Sequence, residues 1–394
     1  MPESFMAGRR RILQLGIAGI GLAATGPLLA ACSASDGSLP GPANLDPHGT
    51  ILAGDVYTLN QIFEPLYLTA VDGSLQPHLA TGHTVSPDGK TYTFALRPKV
   101  TFSDGSPLTS ADVVYSLKRA QSSKGPLSFL DGVISSVTAA GDLSVVVRLT
   151  QAWSPFTSDI SAFSNSIVPD DLQGKPAAEF FAKPVGTGPF TLESWVKGGT
   201  VTLAANPKYW NAPGPYLDKV EFTVVQDENQ LVQQLQAGQV DVIDTVPPAN
   251  FTQIIQASLK QIGVTISIRS IEDAAYQAAF QKFDFDLFID IAINDISDPD
   301  EMASFELDET DGGSNSYWTH YSDPATTALV RQAETEPDSA KRQRLYGQIQ
   351  QKVADDVPFV PLSYPAAIKG LGSHVQGFKV NPAGAVRLKE VWLA

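Results

Sequence analysis

From residue 86 onward the apolar positions change their period along the chain. Ser86-Pro87-Asp88-Gly89 has turn chemistry, after which Tyr92, Phe94 and Leu96 alternate with polar residues and predict a half-buried strand. A second turn over residues 103–107 leads to Thr109, whose hydroxyl can cap a helix together with Asp112. Val113, Val114, Leu117 and Ala120 then line one side of a helix over 110–121. Gly141-Asp142 between two β-rich runs, 133–139 and 143–149, predicts a hairpin. Further strands are expected at 200–205 and 219–226. Beyond them helices (228–237, 250–261, 272–282) alternate with strands (240–243, 264–269, 285–292), and Gly238 and Gly263 close the first two helices. That alternation predicts a parallel α/β layer. Helices at 324–335 and 339–355 follow, the second capped by Asp338, and the absence of a 20–50-residue repeat argues against solenoids and propellers.

The N-terminus follows a different pattern. Arg9-Arg10-Arg11 precedes an uncharged stretch over residues 12–31 that ends in Leu29-Ala30-Ala31-Cys32. Gly16, Gly19, Gly21, Gly26 and Pro27 make it a poor stable membrane span, and the order basic, apolar, small is that of an export signal. Leu-Ala-Ala-Cys resembles the bacterial lipobox, which implies a signal peptide over 1–31 and a lipidated Cys32 as the first mature residue. Residues 8–14 resemble a twin-arginine motif without the phenylalanine, serine or lysine expected around it. Residues 33–48, rich in Ser, Gly and Pro, read with Cys32 as a flexible tether over 32–48. The expected location is the outer face of the cytoplasmic membrane or the periplasm.

Composition narrows the function. With 43% hydrophobic and 18% charged residues, the 394-residue chain is not mainly disordered. At one domain per ~150 residues it holds two or three domains. The 42 acids against 27 bases give a net charge of −15, and residues 1–31 carry three arginines and one glutamate, so the remainder is more acidic still. Such a field repels a phosphate backbone, so no nucleic-acid partner is expected. One cysteine allows neither an intrachain disulfide nor a thiolate metal cluster. His48, His78, His83, His320 and His374 have no ligand spacing. Asp295, Asp298 and Asp300 do not have the spacing of a calcium loop, and Pro299 occupies it. With no Gly-x-Ser-x-Gly elbow, Walker loop or His-Glu-x-x-His, we expect no enzyme, metal or cofactor.

The wording of several strings is more specific than their periodicity. Ile62-Phe63-Glu64-Pro65-Leu66-Tyr67, Asp72-Gly73-Ser74-Leu75-Gln76-Pro77, Ser86-Pro87-Asp88-Gly89-Lys90, Phe102-Ser103-Asp104-Gly105, Pro184-Val185-Gly186-Thr187-Gly188-Pro189-Phe190, Asn206-Pro207-Lys208-Tyr209-Trp210 and Gln236-Ala237-Gly238 occur in order. They resemble the peptide, oligopeptide and nickel-type solute-binding proteins of ABC importers, family 5, over most of residues 50–394. The resemblance implies an α/β, two-lobed, clam-like periplasmic-binding-protein fold. Its expected lobes are residues 49–245 with a return segment 365–394, and residues 246–364. It also implies capture of a solute, most simply a short peptide, by a monomer that hands it to a permease with separate ATPase subunits. By alignment on Asp298-Pro299, the acid that anchors a ligand's amino group in relatives corresponds to Asp295. Glu64 and Tyr67, in the first family-like string near the lobe junction, are further expected ligand contacts.

The chain departs from the family between Asp244 and Leu259, where relatives carry on the order of a hundred further residues and Thr245-Val246-Pro247-Pro248 here joins the halves directly. A truncated second lobe is expected. The alternative is a shortened lipoprotein with a sensing, scaffolding or no transport role.

Overall fold

A computed structural model describes residues 12–18, 44–51, 53–123, 125–197, 199–225, 228–244, 251–268, 285–286, 295–309, 321–361, 369–382 and 384–394. Cys32, the expected helix 272–282 and nearly all of the expected strand 285–292 lie outside these residues.

Two sheets carry the first part of the chain. β1 (Ile12–Ala18), α1 (Ala53–Ile62) and the short pair β2 (Tyr67–Thr69) and β3 (Leu75–Pro77) are followed by β4 (Ala80–Val85) and β5 (Thr91–Leu96). Helix α2 (Ser110–Ser122) precedes the hairpin β6 (Ile134–Ala139) and β7 (Ser144–Leu149). β4, β5, β7 and β6 form a four-stranded antiparallel sheet in that order. Tyr92, Phe94 and Leu96 point into its core with Val113 and Leu117 of α2, as their spacing predicts. Asp112 Oδ2 accepts from the Thr109 backbone N at 2.7 Å and from the Thr109 hydroxyl at 2.9 Å. That satisfies the helix start its sequence announces.

After α3 (Phe156–Asp159) and α4 (Ala177–Ala182) come β8 (Phe190–Trp195), β9 (Thr200–Ala205), β10 (Lys219–Val225), α5 (Glu228–Gln236), β11 (Val242–Ile243) and α6 (Phe251–Gln261). With β12 (Gly370–Leu371) they build a six-stranded sheet in the order β12-β11-β1-β10-β9-β8. The expected parallel layer is corrected in its membership. β1 runs parallel to both β10 and β11, and the other pairings are antiparallel. Residues 264–268, expected as a strand, are not one: Val264 N caps α6 on Leu259 O at 3.0 Å, and Val264 and Ile268 are exposed. The final helices are α7 (Asp300–Leu307), α8 (Pro324–Thr335) and α9 (Ser339–Asp356), and two short strands, β13 (Val375–Gln376) and β14 (Trp392–Leu393), pair near the end. α7, α8 and α9 bury a core of their own, with Leu307, Val330, Leu345 and Ile349.

Gly186 and Gly188 are held by close approach rather than by a left-handed backbone, since neither has a positive φ. A Cβ on Gly186 would stand 2.0 Å from Ile62 O, and one on Gly188 would stand 2.4 Å from Gln61 O. Gly188 N donates to Ile62 O at 2.9 Å, so this loop is stitched to the end of α1. Gly186→Ala is expected to destabilise by more than about 3 kcal/mol, because the obstacle is backbone that cannot step aside. Chemical denaturation against the wild type measures it.

Candidate functional site

The acid-rich stretch around residue 295 lies where the second half of the chain meets the first. Ile296, 2% exposed, packs into a cluster with Leu127, Leu130, Ala162 and Phe163. Close by, Ser154 N donates to Glu334 O at 2.7 Å and Ser154 Oγ to Glu336 O at 2.8 Å, a second pair of stitches across the same seam.

Asp295 is half-buried at this seam. Its backbone N, and that of Ile296, donate to Glu301 Oε2 at 2.8 and 3.1 Å, so the carboxylate at the start of α7 shapes the loop that presents Asp295. Burial pushes the Asp295 carboxyl up to about 6. Glu301 is pushed up to about 8 by burial and then by the neighbouring Asp295. Among the described residues no cation is paired with Asp295, and a charge-assisted hydrogen bond to an ammonium group is the contact a desolvated carboxylate would favour. Asp298 is committed elsewhere: Arg342 holds it in a fork, with Nη1 to Oδ2 and Nη2 to Oδ1 both at 2.7 Å.

Behind this loop the seam buries more acids. Asp159 Oδ2 accepts from Trp153 Nε1 at 2.8 Å, yet burial, then repulsion from Asp300, Asp298 and Asp131, drives its carboxyl well above its ordinary range. Asp131 and Asp300 are raised to about 7, mainly by burial, and Glu334 to about 8 by burial and then by Asp300.

Glu64 and Tyr67 do not join Asp295. Glu64 is 1% exposed and its oxygens are occupied: Oε1 accepts from His78 Nε2 and the Tyr209 hydroxyl, each at 2.8 Å, and Oε2 from Trp210 Nε1 at 3.0 Å. Burial alone would raise its carboxyl, but His78 and the two ring donors hold it below the usual range. The expectation that it contacts ligand is corrected, because Glu64 ties its own string to Asn206–Trp210 and to His78, which follows Asp72–Pro77. Tyr67 is 4% exposed, its hydroxyl 2.8 Å from His83 Nδ1 and its ring edge-on to Phe94, and it is a core residue as well. Sequence reasoning missed the inward-facing acids Asp131, Asp159 and Glu334. The lone Asp131 after Leu130 and the Trp153…Asp159 spacing gave no periodic signal.

Two kinds of comparison bear on this arrangement. Residues 74–254 match the family model described as bacterial extracellular solute-binding proteins, family 5 Middle. The chain is 35% identical over 189 residues to Protein XP55 of Streptomyces lividans and 30% identical over 203 residues to the dipeptide-binding protein DppE of Bacillus subtilis. Each alignment uses 46% of this chain, and the chain spans only 34% and 37% of those relatives. Among solved structures it superposes on the periplasmic binding protein DppA of Helicobacter pylori in complex with the peptide STSA (TM-score 0.78, 19% identity, 98% of this chain and 99% of that one). It also superposes on a dipeptide-binding protein of Pseudoalteromonas sp. SM9913 in complex with Met-Leu (TM-score 0.79, 15% identity, 97% and 100%). The fold is thus the α/β, clam-like periplasmic-binding-protein fold. Over residues 74–254 the chain is similar to the family-5 extracellular solute-binding proteins.

Proposed function

We propose that the protein is an extracytoplasmic receptor that captures a short peptide between its lobes and delivers it to an ABC permease driven by separate ATPase subunits. The observation that carries this reading is Asp295, a desolvated carboxyl at the seam between two separately cored parts of the chain, with its loop fixed by Glu301. The peptides in the complexes of the H. pylori and Pseudoalteromonas proteins support the ligand class. Lobe closure would favour the form the permease recognises, as the ligand binds the closed state better. In this reading residues 49–245 with 365–394 form one lobe and 246–364 a shortened second lobe, and the exported form is held at the membrane by lipid on Cys32. Among the described residues no helix is long and apolar enough to cross a membrane.

A pool of di- and tripeptides is expected to raise the melting temperature by a few degrees, since a ligand at 100 times its Kd stabilises by about 2.7 kcal/mol. Asp295→Asn should weaken binding of the best peptide by about 10- to 100-fold, the worth of a hydrogen bond to a charged group, while leaving the ligand-free melting temperature unchanged or raised. Calorimetric titration separates the two effects. A cooperative transition that no peptide moves would favour the shortened lipoprotein without a transport role. Incorporation of a labelled fatty acid in living bacteria, abolished by Cys32→Ala, tests the anchor.

A further inference from the structure

Ile12–Ala18 is claimed twice. In the sequence it opens the apolar part of an export signal ending at Cys32, while in the structure it is the third strand of the six-stranded sheet. Its seating is thorough. It pairs with β10 over seven residues, Ile12 opposite Lys219 through Ala18 opposite Val225, and with β11 at Leu15 and Gly16. Gln14 N donates to Asp241 Oδ2 at 2.7 Å, Asp241 N donates to Gln14 O at 2.7 Å, and the Gln14 side chain reaches Glu221 Oε2 at 3.2 Å. Leu13 is fully buried and Leu15 is 6% exposed, in a core with Val220, Phe222 and Val242.

Taking the strand away would split the sheet into β8-β9-β10 and the pair β11-β12, and leave two inner edges of N–H and C=O groups without partners. The stretch after Cys32 has no means of replacing it. Ser33-Ala34-Ser35-Asp36-Gly37-Ser38 has no alternating apolar face, and Pro40, Pro42 and Pro47 each lack the N–H a central strand needs.

We propose that β1 locks the export leader into the folded protein, so that folding with β1 seated and processing ahead of Cys32 exclude each other. A chain cut before Cys32 has lost the strand. A chain that has folded around the strand presents neither residues 12–18 to a translocation machinery nor a membrane-inserted leader to a signal peptidase. Export then belongs to the unfolded chain, against the folded-protein route that Arg9-Arg10-Arg11 suggests. This inference concerns the order of folding and export and holds whatever solute the protein binds.

The test uses the intact chain, offered to inverted membrane vesicles of a lipoprotein-processing bacterium either folded or freshly diluted from urea. Conversion to the product lacking residues 1–31 is followed on gels and by mass. The unfolded sample is expected to be processed at least 10-fold faster. In the folded sample, the amides of 13–18 should resist hydrogen exchange as well as those of β10. Asp241→Ala and, separately, Glu221→Ala weaken the seat without touching the leader, and each should speed processing of the folded sample several-fold. Equal processing of folded and unfolded wild-type chain would overturn the proposal, as would unprotected amides at 13–18 or failure of both samples to be processed. Retained protection with unchanged processing in both variants would overturn it too.

Discussion

Raising the pH from about 5.5 to about 8.5 is expected to lower the melting temperature by several degrees, because the seam between the two parts of the chain buries carboxyls whose protonated form the fold favours. Asp131 and Asp300 (about 7), Glu334 and Glu301 (about 8) and Asp295 (about 6) are all raised above their unfolded values by burial, and Asp159 is raised well above its ordinary range. A raised folded-state carboxyl contributes stability that is complete below its unfolded value near 4 and is lost as the pH climbs through its folded value. The loss therefore begins near pH 4 and is complete by about pH 8, so the range from 5.5 to 8.5 spans its upper part. The basic groups facing these acids are Arg342, which forks onto Asp298, and Arg331, 3.3 Å from Glu334; Trp153 donates to Asp159, and Tyr346 to Asp300 at 3.2 Å. Carboxylates held below their ordinary range, such as Glu64, stay ionised throughout this window and do not oppose the trend. Thermal melts at constant ionic strength should show the slope, and Asp159→Asn with Asp300→Asn should flatten it while raising stability at the alkaline end. A melting temperature constant from pH 5.5 to 8.5 would contradict this account of the seam.

The second large effect is at Glu64. Glu64→Ala strands His78 Nε2, the Tyr209 hydroxyl and Trp210 Nε1, and removes the carboxylate whose charge favours the half-buried Arg387 guanidinium. Truncating one side of such a buried charged cluster costs about 3–5 kcal/mol, or on the order of 10 °C in melting temperature for a part of the chain this size. Glu64→Gln should fall between, because one amide oxygen can still accept while its NH₂ group confronts a donor. Denaturant titration of both variants measures the order wild type, Gln, Ala. If Ala matched wild type, the cluster would not be a structural hub. Peptide affinity of the folded Gln variant should be unchanged, in contrast to Asp295→Asn.

Much of the local structure was legible because it depends on neighbours in sequence. The capping box of Thr109 and Asp112, the hairpin at Gly141 with its φ of +101°, and the closure of α5 and α6 by Gly238 and Gly263 at φ +68° and +83° are set by side chains within a few residues. Asp295 was singled out only through a resemblance to a family, as no local period marks it, and its part in ligand binding stays a proposal. The role of Glu64 was not legible at all. A glutamate in a family-like string can serve equally a ligand or a core, and only the return of His78, Tyr209 and Trp210 from distant positions decides between them.

By itself the sequence determined where α2, α5, α6, α8, α9 and the hairpin at Gly141 start and stop, that the chain is acidic, and that its strings resemble those of solute-binding proteins. Tertiary structure alone decided which strands become neighbours. β1 lies between β10 and β11 although more than 200 residues separate Gln14 from Glu221 and Asp241. It also decided which acids are desolvated together at the seam. Both are matters of long-range contact, where the free energy comes from burial and from backbone groups finding partners far along the chain, and neither leaves a periodic trace in the sequence.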